Sequence, residues 1–300
     1  MIRHRLSWPE LERLTSNEPK SEVDLLLSFD FDFFTQRPNP NACPDPARAG
    51  VARDVPIEEW FSNEDAKILW KQGYEAMKEA GLPPETLIAP LQEPMVSGAR
   101  QALAKRFDIA EAAISDSHVW GAYMAMRTAR ACDRPIEIVN FDFHHDCGYI
   151  AYGDDTQELS RRRAYDAASY EDWLQTMLVR GVCSYATIVF PDWGGDWAAE
   201  PPTLPLEYQG RVRRLLFSQW LDEVPSSTRA ANLLLVRSPT WLPPWGGADE
   251  AFLAFANALA PNRRCLDCDP PGGLKIGAGN ACAVRPHPDS YRVSVEPLEE

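Results

Sequence analysis

The chain contains no apolar run near the roughly 20 residues that a bilayer span requires, so its sequence predicts no transmembrane helix. It also lacks internal repeats and low-complexity tracts, which sets repeat architectures aside. Basic residues are in short supply: 30 Lys and Arg stand against 44 Asp and Glu, a formal net charge of −14. That deficit argues against nonspecific nucleic-acid binding, which needs cations to displace counterions. The same field would draw in a cationic substrate, although acidity also serves plain solubility. The N-terminal stretch MIRHRLSWPELERL has no apolar core followed by a small-residue cleavage site. No secretory signal is expected, and the expected location is cytoplasmic with no membrane partner.

A disulfide framework is not expected either. The seven cysteines are odd in number and irregularly spaced. One spacing stands apart: Cys265, Cys268, Cys282 and His287 read C-x2-C-x13-C-x4-H around the Gly-rich DPPGGLKIGAGNA. Three thiolates and an imidazole would suit one structural Zn2+, with ordinary reduced thiols as the alternative.

What is present is the composition of an ordinary globular protein, 45% hydrophobic and 25% charged over 300 residues. A single domain over 1–300 is expected, with a Cys/Gly-rich segment from about 262 to 300. Apolar runs that predict strands recur: DLLLSFD, ETLIAPL, EIVNFDF, YATIVFP and NLLLVRS. Between them, EEWFSNEDAKILWKQGYEAMKEAG, HVWGAYMAMRTARA and ADEAFLAFANALA have helical spacing. Short buried strands alternating with helices predict an α/β fold whose mainly parallel sheet is covered on both faces. Ligands of such sheets gather outside the carboxyl ends of the strands.

Two acidic clusters fall at those ends. IVNFDFHHDCGY presents Asp142, His144, His145 and Asp146, and LLLSFDFDFF presents Asp30 and Asp32. Strand alternation puts Asp142, His144 and Asp146 on one face with His145 opposite, and Asp30 with Asp32 above a face of Phe29, Phe31 and Phe33. Carboxylates gathered at a buried strand end repel one another and need a cation or protons. Oxygen-rich ligation with one or two imidazoles suits Mn2+ or Fe2+, and this many ligands suits two ions. His118, in ISDSHVWGAY, is a sixth candidate.

These residues resemble the arginase/deacetylase superfamily, whose ureohydrolases carry D-x-H-x-D and S-x-D-x-D motifs plus a histidine from an earlier strand end. The matching positions are Asp142, His144 and Asp146, then Asp30 and Asp32, then His118. The nearest branch is the peptide-arginase-like family, similar also in EDWLQTMLVRG, YATIVFPDW and LLLVRSPTWLPPW. The resemblance implies a three-layer α/β/α fold and a two-Mn2+ (or Fe2+) hydrolase. Its substrate would be a small guanidino compound or an arginine-containing peptide, converted to urea and an amine. A homo-oligomer is left open. Here the D-x-D strand precedes the other motif by some 110 residues, an order that a circular permutation would produce, and Leu242 stands where the branch has threonine.

Asp146 is expected to bridge the ions and orient the nucleophile, and His145 to support the site or shuttle protons. Glu93, in APLQEPM at another apparent strand end, and Asp116 are candidates for binding the cationic substrate. Three alternatives stay open. DFHHDCG also resembles the motif of zinc-dependent deacylases, LLLSFDFDFF resembles the D-x-D strand of haloacid-dehalogenase phosphatases, and a non-catalytic binding protein could retain the fold.

Overall fold

Four of the five apolar runs lie side by side in the centre of one sheet. The computed structural model describes residues 5–35, 91, 93–147, 167–169, 172–194, 204, 206–224, 228–238 and 248–267. The expected helix in EEWFSNEDAKILWKQGYEAMKEAG, and the expected strand ETLIAPL up to its last residue, lie outside them. In chain order the elements are β1 (Arg5–Ser7), α1 (Trp8–Leu14), β2 (Leu25–Asp30), α2 (Glu93–Arg106), β3 (Phe107–Ser115) and α3 (Trp120–Cys132). Next come β4 (Ile136–Phe141), β5 (Ala167–Ser169), α4 (Trp173–Val179), β6 (Cys183–Phe190) and the single turn α5 (Leu206–Gln209). The rest are β7 (Val212–Leu216), α6 (Phe217–Glu223), β8 (Arg229–Val236), α7 (Ala248–Leu259) and β9 (Arg264–Cys265).

Seven strands form one sheet in the order β7-β6-β4-β2-β8-β3-β9, and every pairing is parallel. Parallel strands need covered faces, and period-two alternation supplies two apolar surfaces. Leu25, Leu27 and Phe29 face a core shared with Val96 and Leu103 of α2, Trp220 of α6 and Phe255 of α7. Leu26 faces the other core, with Leu11 of α1, Tyr123 of α3 and Leu174 of α4. Helices therefore flank the sheet on both sides. None of the described helices is long and apolar enough to cross a membrane.

Two strands carry weak sequence signals for physical reasons. β7 is an edge strand whose Arg213 and Arg214 are exposed, so it reads as polar. β3 begins with the exposed Asp108 and Ala110 and the half-buried Glu111, and its β-branched residues are only the separated Ile109 and Ile114.

The chain leaves the central β2, skips one place to β3, and returns across the sheet to β4 on the far side of β2. β6 and β7 then extend that side, and β8 fills the gap between β2 and β3. A reversal of direction around β2 leaves a crevice at the carboxyl ends, where α/β sheets bind ligands. The D-x-D strand thus comes first in the chain yet pairs directly with the strand that carries Asp142.

Candidate metal centre

Register brings the acids level. Phe29 of β2 pairs with Phe141 of β4, and Asp30 pairs with Val236 of β8, which also pairs with Ser115 of β3. The residues that follow each pair, Asp142, Arg237 and Asp116–His118, therefore emerge at one rim. Beneath it Phe29 stacks on Phe141 at 5.1 Å and packs edge-on against Phe33 at 5.2 Å. That aromatic layer gives the rim a rigid floor.

The alternation expected for Asp30 and Asp32 stops at Asp30. Its Oδ1 accepts from the backbone N of Asp32 at 3.3 Å, and Phe31–Phe34 wind into a 3-10 turn. Asp32 enters the site through this turn. β4 likewise ends at Phe141, and Asp142 Oδ1 accepts from the backbone N of His144 at 2.7 Å. Side chain-to-backbone bonds of this kind are how aspartate ends a strand.

The six side chains meet. His118 Nδ1 lies 3.4 Å from Asp30 Oδ2, 3.1 Å from Asp142 Oδ2 and 2.8 Å from Asp146 Oδ2. His144 Nδ1 lies 3.1 Å from Asp32 Oδ2 and 3.5 Å from Asp142 Oδ1. Two groups result, Asp30/His118/Asp142 and Asp32/Asp142/His144, and within each the ligand atoms fall within 4.8 Å of one another. Asp142 belongs to both. The shared carboxylate is therefore Asp142, where the sequence had suggested Asp146.

Several observations fit a cation. Asp32 is wholly buried, and among the described residues no hydrogen bond reaches its carboxylate, whose Oδ2 faces the His144 imidazole at 3.1 Å. Buried acceptors are rarely left so. His118 is held from behind, with Ser28 Oγ 2.6 Å from Nε2. A proton on Nε2 donated to that hydroxyl leaves Nδ1 free as a ligand. Four carboxylates carry four negative charges, which two divalent cations would balance.

Without a cation, protons must do so. Burial, then Asp32 and Asp142, push Asp30 well above the usual carboxylate range, and burial, then Asp142, raises Asp146. Burial works against protonated His118, but Asp146 and Asp142 outweigh it and raise the imidazole well above its ordinary value. Desolvation works against protonated His144 too, but Asp32 and Asp142 outweigh it and push this partly buried imidazole up to about 10. Burial and Asp32 would raise Asp142, yet its bonds to His118 and His144 hold it below the ordinary value.

Metal ligation requires neutral imidazoles and ionised carboxylates, so an incoming cation must expel these protons. The His144 imidazole, pushed up to about 10, keeps its proton at pH 7, and the cost of removing such protons falls as pH rises. Metal affinity should therefore increase between pH 6 and pH 8. Titration calorimetry in buffers of different ionisation enthalpy should find at least two protons released for each pair of ions, and release of none would contradict the account.

The other candidates sit elsewhere. His145 is buried, its Nδ1 accepts from the backbone N of Cys147 at 3.1 Å, and burial lowers it to about 4. It is neutral at pH 7, and this placement lends no support to a proton-carrying part. Glu93 is the exposed first residue of α2, and the strand expected before it lies, up to its last residue, outside the described residues. Asp116 is buried and faces the guanidinium of Arg237, which donates from Nε at 2.8 Å and from Nη2 at 2.9 Å. Its carboxylate serves the fold, where a substrate contact had been expected. Cys265 is disulfide-bonded, so its sulfur is not available as a thiolate for zinc. Cys268, Cys282 and His287 lie outside the described residues.

Three supporting residues escaped the sequence reading. Ser238 donates to Asp30 Oδ2 at 2.5 Å, the Trp173 indole donates to Asp146 Oδ2 at 2.7 Å, and Ser28 backs His118. Ser238 and Trp173 lie in the RSP and EDW segments already noted for their resemblance, which was the available signal. No family model matches the chain, nor does any curated protein or solved structure.

Proposed function

We propose that the chain is a binuclear manganese-dependent (or iron-dependent) hydrolase of the ureohydrolase type. It would cleave a guanidinium or related C–N bond, as in free or peptidyl arginine going to ornithine and urea. The observation that carries this reading is Asp142, whose two oxygens face two different imidazoles, each in its own Asp/His group. The preference for guanidinium rests on the resemblance of DFHHD, SFDFD and RSP to ureohydrolases, and a net charge of −14 suits a cationic substrate.

Bound divalent cations would lower the pKa of water and polarise the carbon under attack. The chain's part is to hold them. Asp30, His118 and Asp142 would take one ion, and Asp32, Asp142 and His144 the other. Ser238 fixes Asp30 and Trp173 fixes Asp146, so the acids keep their places as charge changes. The His144 side chain is 16% exposed while the other five are almost sealed, which marks the side from which water and substrate would approach.

The zinc-dependent deacylase reading is weaker here because His145, beside His144, is turned into its own backbone and joins neither group. Elemental analysis of protein purified without chelator, with assays of urea release from arginine, agmatine, guanidino acids and arginine peptides, separates the readings. Two manganese or iron ions per chain with urea release is the expected result. One zinc with deacylation would move the assignment to the deacylases, and bound metal with no turnover would leave a binding protein.

A further inference from the structure

Asp146 sits in a backbone conformation that side chains seldom adopt, at φ 49°. Aspartate tolerates this region better than most residues, but something must hold it there. Three donors from one short segment do so. The backbone N–H groups of Leu174 and Gln175 reach the Asp146 carbonyl at 3.2 and 3.3 Å, and the indole of Trp173 reaches its carboxylate at 2.7 Å. Trp173 is wholly buried, and its ring also lies 5.2 Å from the His118 ring. Space for the indole exists because residue 121 is glycine: a Cβ there would come within 2.7–2.8 Å of the ring.

The geometry points to Trp173 as a positioning residue for one metal ion of the pair. An indole N–H can only donate, so it fixes Asp146 Oδ2 in place beside His118 Nδ1, 2.8 Å away. Asp146 belongs to neither group but touches His118, which belongs to the first group alone. Groups that orient a ligand such as His118 from outside the metal's own shell change metal affinity without touching the metal. Trp173 should therefore tune the ion held by Asp30, His118 and Asp142 and leave the ion held by Asp32, Asp142 and His144 alone. This rests on the two-metal reading above.

The test is Trp173→Phe, which keeps a ring in the cavity and removes the donor. Binding of Mn2+ to metal-free protein is followed by the electron paramagnetic resonance signal of the free ion, and thermal unfolding is recorded in parallel. Trp220→Phe is the control, because Trp220 is an equally buried indole packed among Phe217 and Phe141, with no part in either Asp/His group. Wild type and Trp220→Phe should take up two equivalents with unchanged affinities. Trp173→Phe should keep one equivalent at wild-type affinity and lose roughly 10- to 100-fold on the other.

Two wild-type affinities in Trp173→Phe would overturn the inference. So would equal weakening of both equivalents alongside a fall in Tm that Trp220→Phe reproduces, since that is loss of packing. A wild-type protein that takes up no Mn2+ would sink the two-metal reading itself, an outcome distinct from both.

Discussion

Asp142→Ala should strip both ions from the protein, whereas His144→Ala and His118→Ala should each remove one. The asymmetry follows from the geometry of a single carboxylate. Asp142 is the only residue common to the two groups, with Oδ2 3.1 Å from His118 and Oδ1 3.5 Å from His144. Asn140 donates to Oδ2 at 3.3 Å and the His144 backbone to Oδ1 at 2.7 Å, so neither oxygen is free to swing away. Removing it takes a ligand from each ion and also removes the charge that kept two cations close together. Activity should fall by more than the roughly 10²–10³ that loss of one preorganised electrostatic contact costs. A ligand that binds only the folded protein raises its stability by mass action, about 2.7 kcal/mol at 100 times the dissociation constant. Mn2+ should therefore raise the Tm of wild type, raise it less in the two histidine variants, and leave Asp142→Ala unmoved. If metal content is the same in Asp142→Ala as in His144→Ala, the carboxylate is not shared.

The candidate metal ligands are readable because they follow apolar runs and obey spacings that strands impose. DFHHD and SFDFD each end a stretch of buried side chains, and parallel register then carries Asp30 and Asp142 to one rim. Position along the chain was a poor guide, since β2 precedes β4 by more than a hundred residues and still pairs with it. What could not be read were partners chosen by the fold. Ser28 looks like one polar residue in an apolar strand until His118, ninety positions away, is seen to point at it. Asp116 reads in sequence as a candidate contact for a cationic substrate, and it is a buried ion-pair partner of a residue 121 positions on. Asp32 reached the expected place by an unexpected route, because a side-chain bond from Asp30 to the backbone curled the strand end into a turn. Such long-range and local polar choices leave no period in the sequence.

The largest effect on stability is expected at Arg237. Its side chain is 1% exposed, it donates twice to buried Asp116, and its Nη1 lies 3.2 Å from Asp249. A third acid stands close by: Asp267 accepts from the Asp116 backbone at 2.6 Å, and from Ser115 and the Trp120 indole. Burial, then Asp116, pushes Asp267 up to about 6. Removing one member of a buried pair leaves the other charged and uncompensated, at a cost of about 3–5 kcal/mol. Arg237→Met should lower Tm by on the order of 10 °C, given roughly 2–4 °C per kcal/mol for large domains.

The pH dependence has a definite sign. A carboxyl group raised in the folded state holds its proton there while the unfolded chain has lost it, so stability falls as pH rises from about 4 towards 6. As Asp267 loses its proton above about pH 6 it adds a charge that repels Asp116, and the Arg237 guanidinium on Asp116 offsets that repulsion. The Arg237→Met deficit should accordingly be larger at pH 7 than at pH 5. Adding Asp116→Leu should recover part of it, because apolar side chains of similar volume replace a buried pair at little cost. A single variant as stable as wild type at both pH values would show that the guanidinium is not what holds the Asp116 loop, and with it His118, against the sheet.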